Sequence, residues 1–327
     1  MVQRKYSMSP THQLDLYIDM LKIRLAEQKI QKHYSDDIFK TPVHLSIGAE
    51  AISCGVLAHF PLRRVYGTYR NHHWFIPATK NLTGFFLEML GRKNAPAQGR
   101  SGSMHLSDPA NGMILTSAIV SSTLPIALGD CWAERQKKNP AQTIVFFGDG
   151  AVEEGVFWET LNFASLKKIP LLFVCEDNEL AIHSFKKSRQ SFDMKKSVES
   201  YGVPYFRGSG SDAQAVFQTV AQALIDLKKG PVFLHFDYLR LFEHVGMAAD
   251  FSAGYRDKPE GTETHFDPVW NMKQKLVQSG LSTAQLQAVE SDAAREVDQC
   301  FMTAFQSPPT ALGPDDETPF KSGASHE

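Results

Sequence analysis

The stretch from Thr143 to Asn178 leaves little freedom of fold. An apolar run, TIVFF, ends in a Gly-Asp-Gly turn. An amphipathic segment, EEGVFWETLNFASLKK, follows, and a second apolar run, IPLLFVC, ends in EDN. Read as strand, helix and strand, this order implies a parallel, right-handed crossover in a sheet covered on both faces. VPYFRGSG, the helical DAQAVFQTVAQALIDLKK and GPVFLHFDYLR repeat the pattern. The chain therefore reads as an α/β protein on one doubly wound parallel sheet, and 327 residues suffice for one large domain of this kind.

The remaining segments extend that sheet with helices at both ends. LDLYIDMLKIRLAEQKIQKHY carries apolar residues at helical spacing, and EAISCGVLAHF and NLTGFFLEMLGR read as further helices. RRVYGTYRNHHWF reads as a strand ending in polar and aromatic residues. From Asn94 to Ile119 the text is rich in Gly, Ser, Pro and Asn, a long irregular loop of the kind that usually carries function. LPIALGDCWAERQKK is a helix with cations at its C-terminal end, where they suit the dipole. A long helix falls near DAAREVDQCFMTAF. The expected organisation is an N-terminal arm over 1–13, a domain with helical extensions over 14–305 and a disordered tail over 306–327.

Composition narrows the class. Hydrophobic residues make up 43% and charged residues 21%, the balance of a soluble globular chain. A net charge of −2 gives no bias toward nucleic acid or an anionic membrane. Cys54, Cys131, Cys175 and Cys300 lack CxxC spacing and read as buried thiols in a reducing compartment, not a disulfide framework or zinc site. MVQRKYSMSPTHQ has no apolar h-region, and no run reaches the ~18 apolar residues of a membrane span, so a cytoplasmic protein is expected.

Ligands of open parallel sheets sit at the carboxyl ends of strands. Two such ends are marked here, by Asp149 and by Asn178. Neighbouring strands lie ~4.8 Å apart, so the two side chains can reach one point. Both offer oxygen, which a hard divalent cation prefers, and a backbone carbonyl just beyond Asn178 can add a third ligand. A cation between carboxylate and phosphate explains an acid set between glycines, with the glycine N–H groups and the next helix N-terminus taking the remaining phosphate oxygens. GDGAVEEG is not the G-x-G-x-x-G of a nicotinamide fold and lacks the Lys-Ser/Thr of a P-loop. The plain alternative is a tight turn with Asp149 as an N-cap. Read alone, His44 and His244 are ordinary loop histidines, His72 and His73 could simply pack beside Trp74, and Lys186, Lys187 and Arg189 form a solvated loop.

Gly148-Asp149-Gly150 followed at this distance by Asn178 resembles the thiamine diphosphate motif, and other pieces fall in the same order. Residues 14–300 resemble the alpha subunit of the thiamine-dependent decarboxylating component of 2-oxo acid dehydrogenases, a group that includes the pyruvate, branched-chain and acetoin enzymes. HLSIGAEA is similar to the family's H-x-x-x-G-Q-E-A, TYRNHH to its Tyr-Arg-x-His, GRSGSMH to GKGGSMH, AIVSS to GIVG, and YLRLFEHVG to Y-R-x-H-G-H-S. The resemblance implies Mg²⁺ held by Asp149, Asn178 and the carbonyl of Leu180. It also implies thiamine diphosphate contacts from Tyr69, Arg70, Ala118, Val120, Gly148, Asp149, Gly150, Ala151, Asn178 and His244. His244 and His44 are the implied proton donors, the second beside the substrate. A beta subunit carrying the catalytic glutamate on a pyrimidine-binding domain is implied as partner, in a heterotetramer, with a lipoyl acyltransferase downstream.

The implied function is decarboxylation of a 2-oxo acid, or cleavage of acetoin, with the acyl group passed to a lipoyl carrier. A transketolase-like or carboligating enzyme acting on an aldehyde or sugar is the alternative. The chain departs from the family pattern at Ala49, Ala118, Ser121, Phe242 and Val245. These changes leave the cofactor side intact and alter the substrate side.

Overall fold

The computed structural model describes residues 8–310. In chain order the elements are α1 (Pro10–His33), α2 (Glu50–Leu57), β1 (Arg63–Thr68), α3 (His72–Thr79), α4 (Leu82–Met89), β2 (Met113–Ser117), α5 (Thr123–Glu134), β3 (Gln142–Gly148) and α6 (Gly155–Leu166). There follow β4 (Leu172–Asp177), a short hairpin of β5 (Leu180–Ala181) and β6 (Ser184–Phe185), α7 (Met194–Ser200), β7 (Tyr205–Ser209), α8 (Ala213–Leu227), β8 (Val232–Asp237), α9 (Pro268–Gln278) and α10 (Thr283–Gln306). Six strands form one sheet in the order β2-β1-β3-β4-β8-β7, every pair parallel.

The strand sequences explain why both faces are covered. Along β3, Ile144 and Phe146 join one core while Val145 and Phe147 join the other; Leu172 and Val174 alternate with Phe173 and Cys175 in β4. A strand whose successive side chains point to opposite faces needs apolar residues at every position when helices lie on both. One core takes α1, α2, α3, α4, α8, α9 and α10; the smaller takes α5, α6 and α7. The helix starts are written locally. Ser9, Asn81, Asp193, Asp212 and Asp267 each accept a backbone N–H in the first turn, and Ser282 forms a capping box with Gln285.

The doubly wound reading holds, with local corrections. The segment after Thr68 is not a continued strand: Asn71–Thr79 turns into α3, with His72 and His73 fully buried. The loop read over Asn94–Ile119 contains the edge strand β2, paired with β1. The first helix starts at Pro10, four residues before the expected domain boundary. From residue 311 the expected disordered tail lies outside the described residues. Its start is held, since Lys93 N donates to Pro308 O (2.9 Å) and Thr310 N to Gly91 O (3.0 Å). Cys54, Cys131 and Cys175 are buried free thiols and Cys300 is half-buried. Among the described residues no helix is long and apolar enough to cross a membrane.

Candidate active site

The chain runs outward from β1 to β2, then jumps back to β3 and proceeds the other way to β4, on to the edge strand β7 and back to β8 between them. This reversal leaves a crevice above the carboxyl ends of the strands, where ligands of such sheets bind. A cavity of about 430 Å³ lies there. Thr68–Arg70 follow β1, Ala118 and Val120 follow β2, Gly148–Ala151 follow β3, Asn178 and Leu180 follow β4, and Tyr238, Arg240 and His244 follow β8; all of these line it. Every residue assigned from the sequence is in this wall except His44. That ring packs just behind it, with centroids 4.5 Å from Tyr69 and 5.1 Å from His244.

β3 and β4 pair so that Gly148 stands opposite Glu176, which brings the two marked strand ends side by side. Asn178 is fixed at both ends of its amide: Nδ2 donates to Tyr238 Oη at 2.8 Å, and Oδ1 accepts from Leu180 N at 3.0 Å. Between them Glu179 takes a left-handed φ of 64°, which turns the chain sharply into the β5–β6 hairpin. The N-cap reading of Asp149 is corrected. It opens a 3₁₀ turn over Asp149–Glu153, and α6 starts only at Gly155, after Glu154. Gly150 and Ala151 thus face the cavity from a turn, and the helix N-terminus expected at the phosphate lies further along the chain.

Asp149 is buried, and its carboxyl is pushed up to about 6, first by burial and then by the nearby Asp177 carboxylate. Asp177 is held at about 2: burial opposes this, but hydrogen bonds from His235 and Lys186 prevail. Of the basic residues read as a solvated loop, Lys187 is exposed but Lys186 and Arg189 are not free. Lys186 pairs with Asp177, and Arg189 Nη2 lies 2.5 Å from Asp149 Oδ2. Sequence reasoning had no signal for these contacts, because Arg189 stands 40 residues from Asp149 on an irregular segment. It also missed Glu176, Tyr238 and Arg240 in the cavity wall. Glu176 Oε1 accepts from His73 Nε2 (2.8 Å) and Trp74 Nε1 (3.0 Å), so that pair does more than pack.

Arg70 organises the histidine side. Its Nη1 donates to Leu45 O and its Nη2 to His244 O at 2.9 Å, so the fork expected to grip two ligand oxygens instead brackets two loops. The same loops pair directly, Gly246 N donating to Val43 O at 2.9 Å. Gly48 lets the first of them close in: its φ is 108°, and a Cβ there would meet Leu239 O at 2.5 Å. His44 is lowered to about 3 and His244 to about 4, in each case by burial first and Arg70 next. Both imidazoles are neutral near pH 7. The proton donors expected from the sequence are thus set first as acceptors, and an anion beside Arg70 and Arg240 would relieve the depression. His44 Nδ1 is buried with no hydrogen-bond partner.

The AIVSS segment is tied to the Gly-Asp-Gly turn. Ser121, where the family pattern has glycine, holds a left-handed φ of 64° and donates from Oγ to Ala151 O at 2.7 Å. The donor set Asp149, Asn178 and the Leu180 carbonyl is all oxygen, which suits a hard divalent cation, and Arg70 and Arg240 add positive charge for an anion. The residues present therefore fit a metal-bound diphosphate.

The family model described as "Dehydrogenase E1 component" matches residues 18–312. Similar curated proteins include the mitochondrial pyruvate dehydrogenase E1 component subunit alpha of Solanum tuberosum, 28% identical over 308 residues, covering 93% of this chain and 78% of that protein. The Rhizobium meliloti (strain 1021) pyruvate dehydrogenase E1 component subunit alpha is 28% identical over 276 residues, covering 83% and 78%. That of Zymomonas mobilis subsp. mobilis (strain ATCC 31821 / ZM4 / CP4) is 26% identical over 302 residues, covering 90% and 84%. With the match running through all six sheet strands and the whole cavity wall, this chain belongs to the dehydrogenase E1 component family.

Proposed function

We propose that this chain is the alpha subunit of a thiamine diphosphate- and Mg²⁺-dependent enzyme that decarboxylates a 2-oxo acid such as pyruvate, or cleaves acetoin, and delivers the acyl group to a lipoyl carrier. The observation that carries the reading is the convergence of Asp149, Asn178 and Leu180 with Tyr69, Arg70 and His244 on one cavity at a strand-order reversal. The names of the similar proteins support the same class.

Thiamine diphosphate supplies the electron sink that a 2-oxo acid needs to lose CO2. The chain's own residues bind, orient and exchange protons. Asp149, Asn178 and the Leu180 carbonyl would hold the magnesium ion, while Gly148, Gly150 and Ala151 keep the turn free of bulk beside the diphosphate. The charges of Arg70 and Arg240 favour its oxygens, and Tyr69 stands next to them. Ala118 and Val120, also in the wall, would meet the aminopyrimidine. His244, in the wall, and His44, behind it, accept or return a proton on the substrate side.

Among the described residues, the cavity-lining carboxylates Asp149, Glu153, Glu154 and Glu176 stand on strands β3 and β4 of the one sheet and the turns that follow them. We therefore assign the glutamate that activates the cofactor to a beta subunit, with a lipoyl acyltransferase as the following partner. Cys54, Cys131, Cys175 and Cys300 pair with no other cysteine among the described residues, which suits a reducing compartment such as the cytoplasm. Phe242, in place of the first histidine of the family segment, packs against the larger core and favours keeping a second reading, carboligation to an aldehyde or sugar. Product analysis separates the two: an acyl-lipoyl product needs the lipoyl carrier, a ketol does not. The test of the site is calorimetry of thiamine diphosphate with Mg²⁺ on the chain assembled with its beta subunit. Asp149→Ala and Asn178→Ala are expected to abolish uptake; unchanged uptake refutes the assignment.

A further inference from the structure

The segment after β6 does something the family reading leaves unexplained. Two carboxylates, Asp149 and Asp177, are buried at neighbouring strand ends, and one short stretch neutralises both, Lys186 on Asp177 and Arg189 on Asp149. Arg189 is also held by Glu153 through Nη1 and donates from Nε to Ser184 O at 3.0 Å. The next residue, Gln190, donates from Nε2 to Asp149 O and to Glu153 Oε1, each at 2.9 Å. The Arg189 side chain is 12% exposed and the Asp149 side chain 1%, so this is a desolvated contact and not a passing surface pair.

We propose that Arg189 and a divalent cation compete for the buried Asp149 carboxylate, and that cation binding shifts the guanidinium onto Glu153 and loosens the segment 182–190. This rests on the reading of Asp149 as a metal ligand. A buried carboxylate that already takes a guanidinium holds a dication less tightly, because the two positive charges would repel at close range around one partner. Glu153 offers the displaced side chain a place without a long excursion: it already holds Nη1, and it is more exposed than Asp149. Arg189 thereby sets the cation affinity of the site and makes the order of one surface segment depend on loading.

The test uses the full-length chain with its beta subunit, titrated with Mn²⁺ at fixed thiamine diphosphate and read by electron paramagnetic resonance of free Mn²⁺. Arg189→Met is expected to lower the half-saturating Mn²⁺ at least tenfold, and Arg189→Lys, which keeps the charge on a shorter reach, to lie between it and the parent. In the unmodified protein, tryptic cleavage after Lys187 or Arg189 is expected to accelerate when Mn²⁺ and thiamine diphosphate are added together; this arm stands if Arg189→Met does not fold. Equal or weaker Mn²⁺ binding by Arg189→Met, or cleavage unchanged by loading, overturns the proposal. Asp149→Ala separates the two failures. If it abolishes Mn²⁺ uptake while Arg189→Met changes nothing, only the competition is wrong; if it binds like the parent, or no protein binds, the metal reading falls and the competition with it.

Discussion

Ser121 holds a left-handed backbone at φ 64°, which costs a side chain about 1–2 kcal/mol relative to glycine. Its hydroxyl donates to the carbonyl of buried Ala151 at 2.7 Å, and that bond keeps the residue worthwhile. Ser121→Ala retains the strain and leaves the Ala151 carbonyl without its donor, a loss of about 1–2 kcal/mol. Ser121→Gly loses the same bond but sheds the strain, at an extra chain-entropy cost of about 0.5–1 kcal/mol. The glycine variant should therefore fall within about 1 kcal/mol of the parent, and the alanine variant about 1 kcal/mol below the glycine variant. Urea unfolding of the three proteins at one pH measures both differences. Both substitutions also free the 118–122 segment from the turn that carries Asp149, so uptake of thiamine diphosphate should weaken similarly in the two despite unequal stability. An alanine variant as stable as the glycine variant would show that the left-handed backbone carries no strain, and the reasoning would fail.

Other outcomes follow from the same contacts. His44 is held at about 3, below the ~6.5 of an unfolded chain, so the unfolded state takes up its proton first and stability falls as pH drops below ~6.5. Between pH 7 and 5 this amounts to about 2 kcal/mol, which His44→Gln should remove. Asp149, raised to about 6, acts in the opposite sense between about pH 6 and 4, but it is common to both proteins; parallel urea-midpoint curves would sink the assignment. Glu88 is buried, and its carboxylate accepts from the backbone of Ala97, Gly99 and Ser101 and from Ser101 Oγ. Glu88→Gln should cost about 2–3 kcal/mol and speed hydrogen exchange at 97–101; unchanged exchange there would mean that the carboxylate does not order the loop.

The parts of the fold that could be read in advance are those where one physical demand dominates. β3, β4 and β8 are apolar at nearly every position because helices cover both faces, and their turns announce where they end. β2 escaped because a five-residue edge strand sits among glycines, serines and a proline. α3 escaped because its first turn is His72-His73 and Pro77 lies inside it, while the partners that suit those histidines, Glu27 and Glu176, are remote in sequence. The same division runs through the site. Asp149 and Asn178 were visible because a strand end and a fixed separation define them. Arg189, Lys186 and Arg240 were not, since their positions depend on how irregular segments return to the sheet. Arg70 lies in the cavity wall, yet its fork serves two carbonyls of the protein itself.

The cavity wall is a mosaic of five strand tips that stand side by side on one hydrogen-bonded sheet. Tyr238 ties the β8 tip to Asn178 and Ser121 ties the β2 tip to Ala151, so a wall exchanges cleanly only beyond those contacts. Grafting the β8 tip, residues 239–249, from a relative with different substrate preference should change which molecule is accepted while the metal grip, seated on β3 and β4, is inherited unaltered.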